Sequence, residues 1–160
     1  MSEFSGCPGS RMMQIKRDNL PRNEEGAGSS APRQSELSQW PVQLHLVSPA
    51  APYFQHADVI LAADCVAYAL GDFHRDYLKG KALAIACPKL DDGQDTYQEK
   101  ITAFIDEAEI NSLTVMIMEV PCCRGLLALA QQAAGQAKRE IPMKLIIVGI
   151  QGEILSDEWI

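Results

Sequence analysis

Apolar and polar positions follow two alternating patterns along most of this chain. Short, continuous apolar runs recur after about residue 36, at 58–63, 81–86, 111–118 and 143–150. Such runs are typical of strands buried on both faces of a parallel sheet. Stretches with apolar residues at helical spacing alternate with them, at 66–70, 73–78, 95–108 and 121–138. This order predicts an α/β fold, a three-layer, Rossmann-like sandwich with a mainly parallel sheet and right-handed crossovers.

The first part of the chain has a different composition. Residues 1–36 are rich in glycine, serine and proline and show no sustained apolar period. We therefore predict a flexible tail or linker over 1–36, followed by one α/β domain over 37–160. The run 42–47 alternates apolar and polar residues, which predicts a half-buried strand or, alternatively, an arm that lies across the body.

The length and net charge of the chain limit the kinds of partner that it is expected to bind. A chain of 160 residues suits one ordinary domain. Its net charge of -7 disfavours nucleic acid and anionic membrane surfaces as partners. No apolar run reaches the roughly 18 residues of a membrane-spanning helix, and the N-terminus has no signal-peptide core. We expect a cytoplasmic protein that binds neither nucleic acid nor membrane.

The cysteines carry the strongest chemical signal. There are five, and all except Cys7 follow the end of a predicted strand: Cys65, Cys87, Cys122 and Cys123. The carboxyl ends of parallel strands meet at one edge of the sheet, where ligands bind in such folds. If the three strands are neighbours, the four thiols reach one crevice from three loops. The helix start beside Cys122 and Cys123 is also expected to favour thiolate over thiol.

Four thiolates suit two kinds of centre. One is an iron–sulfur cluster, and the other is a tetrahedral zinc ion. The chain contains no Cys-x-x-Cys spacing, so the expectation depends on placement at strand ends. Two interpretations without metal stay open. The thiols could be packed as small apolar side chains, or Cys122 and Cys123 could be the reactive pair of a thiol enzyme or sensor. Cys7 is expected to take no part.

Other polar residues give weaker signals. His74 lies among charged residues, so we expect it on a helix surface rather than as a ligand. His45 and His56 are expected to face solvent. The sequence 91–93 is interpreted as an ordinary Asp-Gly turn. Asp64 would be unfavourable beside an anionic centre unless it accepts a hydrogen bond.

Several separated segments resemble a known family. They are Ser38–Leu44 (SQWPVQL), Ala62–Ala67 (AADCVA), Cys87–Asp92 (CPKLDD) and Met118–Cys123 (MEVPCC). In this order they resemble the C-terminal domain of ferredoxin-type 4Fe-4S iron–sulfur proteins of anaerobic bacteria and archaea, over about residues 36–155. Gly6–Ser10 is similar to the linker that follows the two-cluster ferredoxin domain of that family. The ferredoxin motifs themselves are absent here, and Arg124 stands where the family often has glycine.

The resemblance implies a redox or electron-transfer role. Together with the cysteine pattern, it leads us to expect an iron–sulfur cluster, [4Fe-4S] in type, bound by Cys65, Cys87, Cys122 and Cys123. An electron-transfer or accessory protein that works with a ferredoxin or an oxidoreductase partner is expected, rather than a stand-alone enzyme. The alternatives are the thiol enzyme or sensor, and a zinc-binding or metal-free interaction module. Association into a homodimer also stays open.

Overall fold

A mainly parallel β-sheet forms the centre of the fold. The computed structural model describes residues 8–16 and 32–160. Strands in these ranges are β1 (Met13–Gln14), β2 (Gln39–Trp40), β3 (Asp58–Ala63), β4 (Ala82–Ala86), β5 (Ser112–Met118), β6 (Met143–Val148) and β7 (Ile154–Trp159). β3 to β7 form one sheet in the order β4-β3-β5-β6-β7, in which only β7 runs antiparallel to its neighbour. The predicted Rossmann-like α/β architecture is confirmed.

Helices cover both faces of this sheet. They are α1 (Val66–Ala69), α2 (Gln94–Asp106) and α3 (Arg124–Gln136), with one wide helical turn over Phe73–Leu78 and 3₁₀ turns at Pro8–Ser10, Pro52–Phe54 and Pro121–Cys123. The crossover from β3 to β4 runs in the opposite direction to those from β4 to β5 and from β5 to β6. Because such crossovers are right-handed, α1 lies on the face opposite α2 and α3. None of the helices in the described ranges is long and apolar enough to cross a membrane.

Two details of the secondary structure differ from expectation. The strand predicted over 42–47 is wrong, because the chain makes a single parallel bridge from Gln43 to Ile85 and then turns. The alternative prediction of an arm is the one the structure shows. β7 was not predicted, since its apolar residues lie at its two ends and Ser156, Asp157 and Glu158 separate them. Its position depends on pairing with β6, and the residues of β7 alone show no strand-like alternation.

An arm formed by residues 39–48 lies along the outer edge of β4. The buried side-chain amide of Gln39 donates to the Leu83 carbonyl (2.8 Å) and accepts from the Leu83 amide (2.7 Å). Further along the arm, the Leu44 amide donates to the Ile85 carbonyl at 2.8 Å. The arm therefore satisfies backbone groups that an edge strand would otherwise leave open.

Lys100 on α2 fastens the arm at its turn. Its ammonium donates to the carbonyls of Leu44 (2.9 Å), His45 (2.7 Å) and Val47 (2.9 Å). Burial lowers the pKa of Lys100, because desolvation disfavours its charged form. Hydrogen bonds from a cation to three carbonyls offset that cost and hold the arm against α2.

Part of the predicted tail also contacts the body. β1 pairs antiparallel with β2, and the Trp40 indole donates to the Gly9 carbonyl at 2.7 Å. Residues 1–7 and 17–31 of the predicted tail, Cys7 among them, lie outside the described residues. Residues 8–16 are thus attached to the arm beside β4.

Candidate functional site

The three strands that lead to cysteines are neighbours in the sheet. β3 lies between β4 and β5, and it is parallel to both. Cys65 and Cys87 follow the ends of β3 and β4, and Cys122 and Cys123 follow the end of β5. All three loops therefore leave the same edge of the sheet, as the order of the sequence pattern predicts.

The loop after β3 is tied to the end of β4. The Asp64 amide donates to the Ala86 carbonyl at 3.2 Å, which extends the parallel ladder by one residue. Cys65 comes next; it is exposed and directly precedes α1. Its thiol is therefore accessible at the sheet edge, and its backbone is set by the strand that precedes it.

The loop after β4 is organised by Asp91. Its Oδ2 accepts a hydrogen bond from the Cys87 amide at 2.9 Å and another from the Tyr97 hydroxyl. The Asp91 amide donates in return to the Cys87 carbonyl at 2.9 Å. Tyr97 is fully buried on α2, so its hydroxyl needs this acceptor. Asp91 therefore sets the position of half-buried Cys87 and does more than form the ordinary turn expected from the sequence.

The vicinal pair after β5 occupies a 3₁₀ turn ahead of α3. Pro121 opens this turn, and the Cys123 amide donates to the Val120 carbonyl at 3.1 Å. Cys122 is exposed, whereas Cys123 is buried. The turn thus directs one thiol outward and the other toward the core.

The ionisation state of Cys123 differs from the expectation for a helix start. Burial raises the pKa of the Cys123 thiol, a backbone hydrogen bond at Met118 acts in the opposite direction, and the neighbouring thiols of Cys122 and Cys65 raise it further. Desolvation disfavours the thiolate form of a buried cysteine. The prediction that the turn promotes a thiolate is therefore wrong for Cys123. Cys65 therefore lies close enough to Cys123 to interact with it electrostatically.

A close contact joins the second and third loops across the end of β3. A Cβ atom at Gly125 would lie 3.1 Å from the Cβ of Pro88, the residue after Cys87. A side chain at this position would be tighter than an ordinary van der Waals contact, so Pro88 would have to move by a few tenths of an ångström to admit it. The Cys87 loop therefore lies against the start of α3, directly after the Cys122–Cys123 turn.

Carboxylates surround the same edge. Burial raises the pKa of Asp64 and the charge of Asp91 adds to this, while a hydrogen bond from Gln43 acts in the opposite direction. Within the described residues, the buried Oδ1 of Asp64 has no hydrogen-bond partner. The site therefore contains thiols and two neighbouring carboxyl groups. The charge of these carboxyl groups disfavours additional negative charge at the site.

The thiols are not gathered into a ready-made site for one ion. Between residues 8 and 16 and from 32 to 160, no three His, Cys, Asp or Glu side chains are placed to hold a metal ion. A tetrahedral zinc ion needs all its sulfurs about 2.3 Å from a single centre. In a four-iron cluster each cysteine binds a different iron, so the ligands lie farther apart. Four cysteines on three loops are a donor set of the kind that both an iron–sulfur cluster and a zinc ion use.

The histidines do not join this site as ligands. His74 is exposed on the wide turn, and its Nδ1 accepts from the Glu36 amide at 3.0 Å. His45 is exposed but not free, because it stacks on Tyr97 at 4.1 Å between ring centroids and hydrogen-bonds the Asp92 carbonyl at 2.6 Å. The surface position expected for His74 is confirmed, and His45 supports the loop after β4 from the arm.

Comparison with known proteins agrees with this architecture. Residues 51–160 match the Rossmann-like domain family. The chain belongs to that family. This Rossmann-like chain is also 33% identical over 119 residues to an uncharacterized protein of Archaeoglobus fulgidus, an alignment that covers 74% of this chain and 83% of the relative. No solved structure matches the chain.

The Rossmann-like domain departs from dinucleotide-binding members of the fold at its first loop. Those proteins carry a glycine-rich turn after the first parallel strand, followed by a helix whose start receives the pyrophosphate. Here the turn consists of Asp64 and Cys65, and α1 has only 4 residues. The position used for phosphate in such proteins is occupied by an acid and a thiol.

Proposed function

We propose that this protein binds an iron–sulfur cluster at the carboxyl edge of its sheet and transfers electrons. The ligands are Cys65, Cys87, Cys122 and Cys123, and the expected cluster is [4Fe-4S]. The observation that carries this proposal is the adjacency of three parallel strands, each followed by a cysteine-bearing loop. The contact between Pro88 and Gly125 supports it, because it holds two of these loops together.

The resemblance to ferredoxin-type iron–sulfur proteins supports the same proposal from another direction. Its motifs AADCVA, CPKLDD and MEVPCC contain the four proposed ligands. They fall on three separate loops, and those loops leave neighbouring strands. A family motif and a shared sheet edge thus point to the same thiols.

The residues of this chain would control both binding and potential. A bound cluster supplies one-electron transfer. Asp91 fixes the Cys87 backbone, and the buried position of Cys123 keeps water from one side of the site. Asp64 and Asp91 place negative charge nearby, which disfavours an added electron and lowers the reduction potential. The exposed Cys65 and Cys122 lie toward the surface, where a ferredoxin or an oxidoreductase partner exchanges electrons with the site.

A cytoplasmic setting suits this role. Cys65, Cys87, Cys122 and Cys123 are all free thiols. Thiols stay reduced, and available as ligands, in the cytoplasm. Because the proposed cluster supplies one-electron transfer, we infer an accessory or electron-transfer protein rather than a stand-alone enzyme.

Anaerobic reconstitution tests the proposal. The full chain is incubated with iron and sulfide, and bound iron, acid-labile sulfide and visible absorption are measured. We expect a coloured protein whose cluster content falls sharply in each single Cys→Ser variant at 65, 87, 122 and 123. Cys7→Ser is the matched control and should keep the cluster. A colourless wild-type protein without iron refutes the proposal, and zinc found without iron identifies the structural-zinc alternative.

A second candidate function is a thiol-based redox enzyme or sensor. The specific observation in its favour is that exposed Cys122 directly precedes buried Cys123 in the same 3₁₀ turn. Because burial raises the pKa of Cys123, Cys122 would be the attacking thiol. This alternative predicts fast alkylation of Cys122 in metal-free protein near neutral pH. Slow and equal labelling of all thiols contradicts it.

A further inference from the structure

The two outermost strands of the sheet, β4 and β7, differ in what lies beside them. The outer edge of β4 is covered by the arm, through Gln39 and Leu44. β7 is the terminal strand at the other edge, and none of the described residues pairs with its outer side. Proteins usually protect such edges with proline, lysine or a covering segment. β7 contains neither proline nor lysine, and its charged residues are Asp157 and Glu158.

Large apolar side chains are exposed along this open edge. Leu155 is 51% exposed, Trp159 is 64% exposed, and Ile154 and Ile160 are exposed as well. Exposed apolar side chains at both ends of a strand that is open on its outer side are typical of an interaction surface. The edge is also long enough to pair, since β7 spans 6 residues.

The backbone of β7 presents unpaired groups in a regular pattern. The Ile160 amide points inward and donates to the Met143 carbonyl at 2.9 Å. In an antiparallel ladder alternate residues point their amides to opposite sides. The amides of Asp157 and Trp159 therefore point outward, where another strand could accept their hydrogen bonds.

An apolar groove continues this edge onto the face covered by α3. It has a volume of about 420 Å³ and is lined mainly by Leu127 of α3, Leu145 and Ile147 of β6, and Leu155 of β7, and its lining also includes Arg124 and Glu119. Glu158 pairs with Leu145, so it lies on the same face of the sheet as the groove. The groove and the edge form one continuous surface.

We propose that a second copy of this chain pairs antiparallel along β7 and joins two sheets into one. A two-fold axis normal to the sheet keeps the same faces together, so Glu158 of each copy lies beside Leu155 and the groove of the other. There its carboxylate lies near Arg124, a group of opposite charge, while Glu119 of the same lining already accepts a hydrogen bond from the Ile150 amide at 3.3 Å. On the other face, Ile154 of one copy covers Trp159 of the other.

Charge within the strand permits this pairing. Asp157 is already neutralised by Lys144 at 2.7 Å, and Lys144 also lies 5.4 Å from the centre of the Trp159 ring. Antiparallel pairing therefore does not set bare carboxylates opposite each other at the centre. The edge is self-complementary in both charge and apolar contact, which favours a second copy over an unrelated strand.

Sedimentation of the full chain over a concentration series tests the proposal. We expect a dimer for the wild type, with self-association at least about tenfold weaker in Leu155→Lys. Leu46→Lys is the matched control, because Leu46 is 48% exposed but lies on the arm beside the opposite edge. Glu158→Arg is a second variant on the surface, expected to weaken the dimer without burial effects. A monomeric wild type, or a dimer equally weakened by Leu46→Lys, overturns the proposal.

Hydrogen exchange identifies the interface directly. The outward amides of Asp157 and Trp159 should exchange slowly in the wild type and in Leu46→Lys, and quickly in Leu155→Lys. A wild-type dimer in which both amides exchange as fast as in the Leu155→Lys variant refutes pairing along β7. Neither measurement depends on the iron–sulfur proposal, since both can be made on metal-free protein.

Discussion

Two glycines of the same helix provide a sharp test of the contact between the cysteine loops. A Cβ at Gly125 would lie 3.1 Å from the Cβ of Pro88, whereas a Cβ at Gly135 meets nothing within 4 Å. Replacing a helical glycine by alanine contributes up to about 1 kcal/mol through helix propensity. Overpacking a close contact costs about 1–3 kcal/mol. We therefore expect Gly135→Ala to stabilise the protein and Gly125→Ala to destabilise it by about 1 kcal/mol.

Urea and thermal unfolding of metal-free protein measure this difference. A gap of about 2 kcal/mol between the two variants corresponds to about 4–8 °C in Tm for a chain of this size. A double-mutant cycle with Pro88→Gly should recover about 1 kcal/mol of the loss at Gly125, because it removes the opposing Cβ. Equal stabilisation by both alanines would refute the contact and, with it, the argument that these loops are held together.

Further substitutions test the supports of the site and the arm. Asp91→Ala should lower the free energy of unfolding by about 2–3 kcal/mol, since an amide and a buried hydroxyl lose a charged acceptor. Exposed Asp92→Ala should stay within about 0.5 kcal/mol of wild type, and equal losses in urea unfolding would contradict the assignment. Lys100→Met should cost about 2 kcal/mol in the same assay by releasing the arm, against little change for exposed Lys79→Met. The raised pKa of Asp64 means that the folded state holds its proton more tightly, so stability is lost as pH rises above the ordinary value of 3.8. Asp64→Asn should remove that loss and flatten the stability profile toward neutral pH; an unchanged profile would exclude Asp64 as its source.

The local pattern of residues was enough to predict most of the architecture. Continuous apolar runs identified the four parallel strands, because a strand buried on both faces must be apolar along its whole length. Right-handed crossovers and the shared strand ends then led to the sheet edge where the cysteines lie. Whether those cysteines bind a cluster is a prediction that the reconstitution experiment tests.

Features that depend on distant residues did not follow from the sequence pattern. β7 has no regular alternation, and its position is decided by pairing with β6. The role of Asp91 depends on Tyr97 of a different element, and the raised pKa of Cys123 comes chiefly from its burial in the folded chain.

The sequence by itself determined which segments are strands and helices and that thiols follow three strand ends. Only the tertiary structure decided that these strands are adjacent, that Pro88 contacts Gly125, and that one sheet edge is covered while the other is open. The physical reason is that periodicity and capping act over a few neighbouring residues. Loop contacts, desolvation and edge pairing are set by side chains that meet only when the sheet has formed.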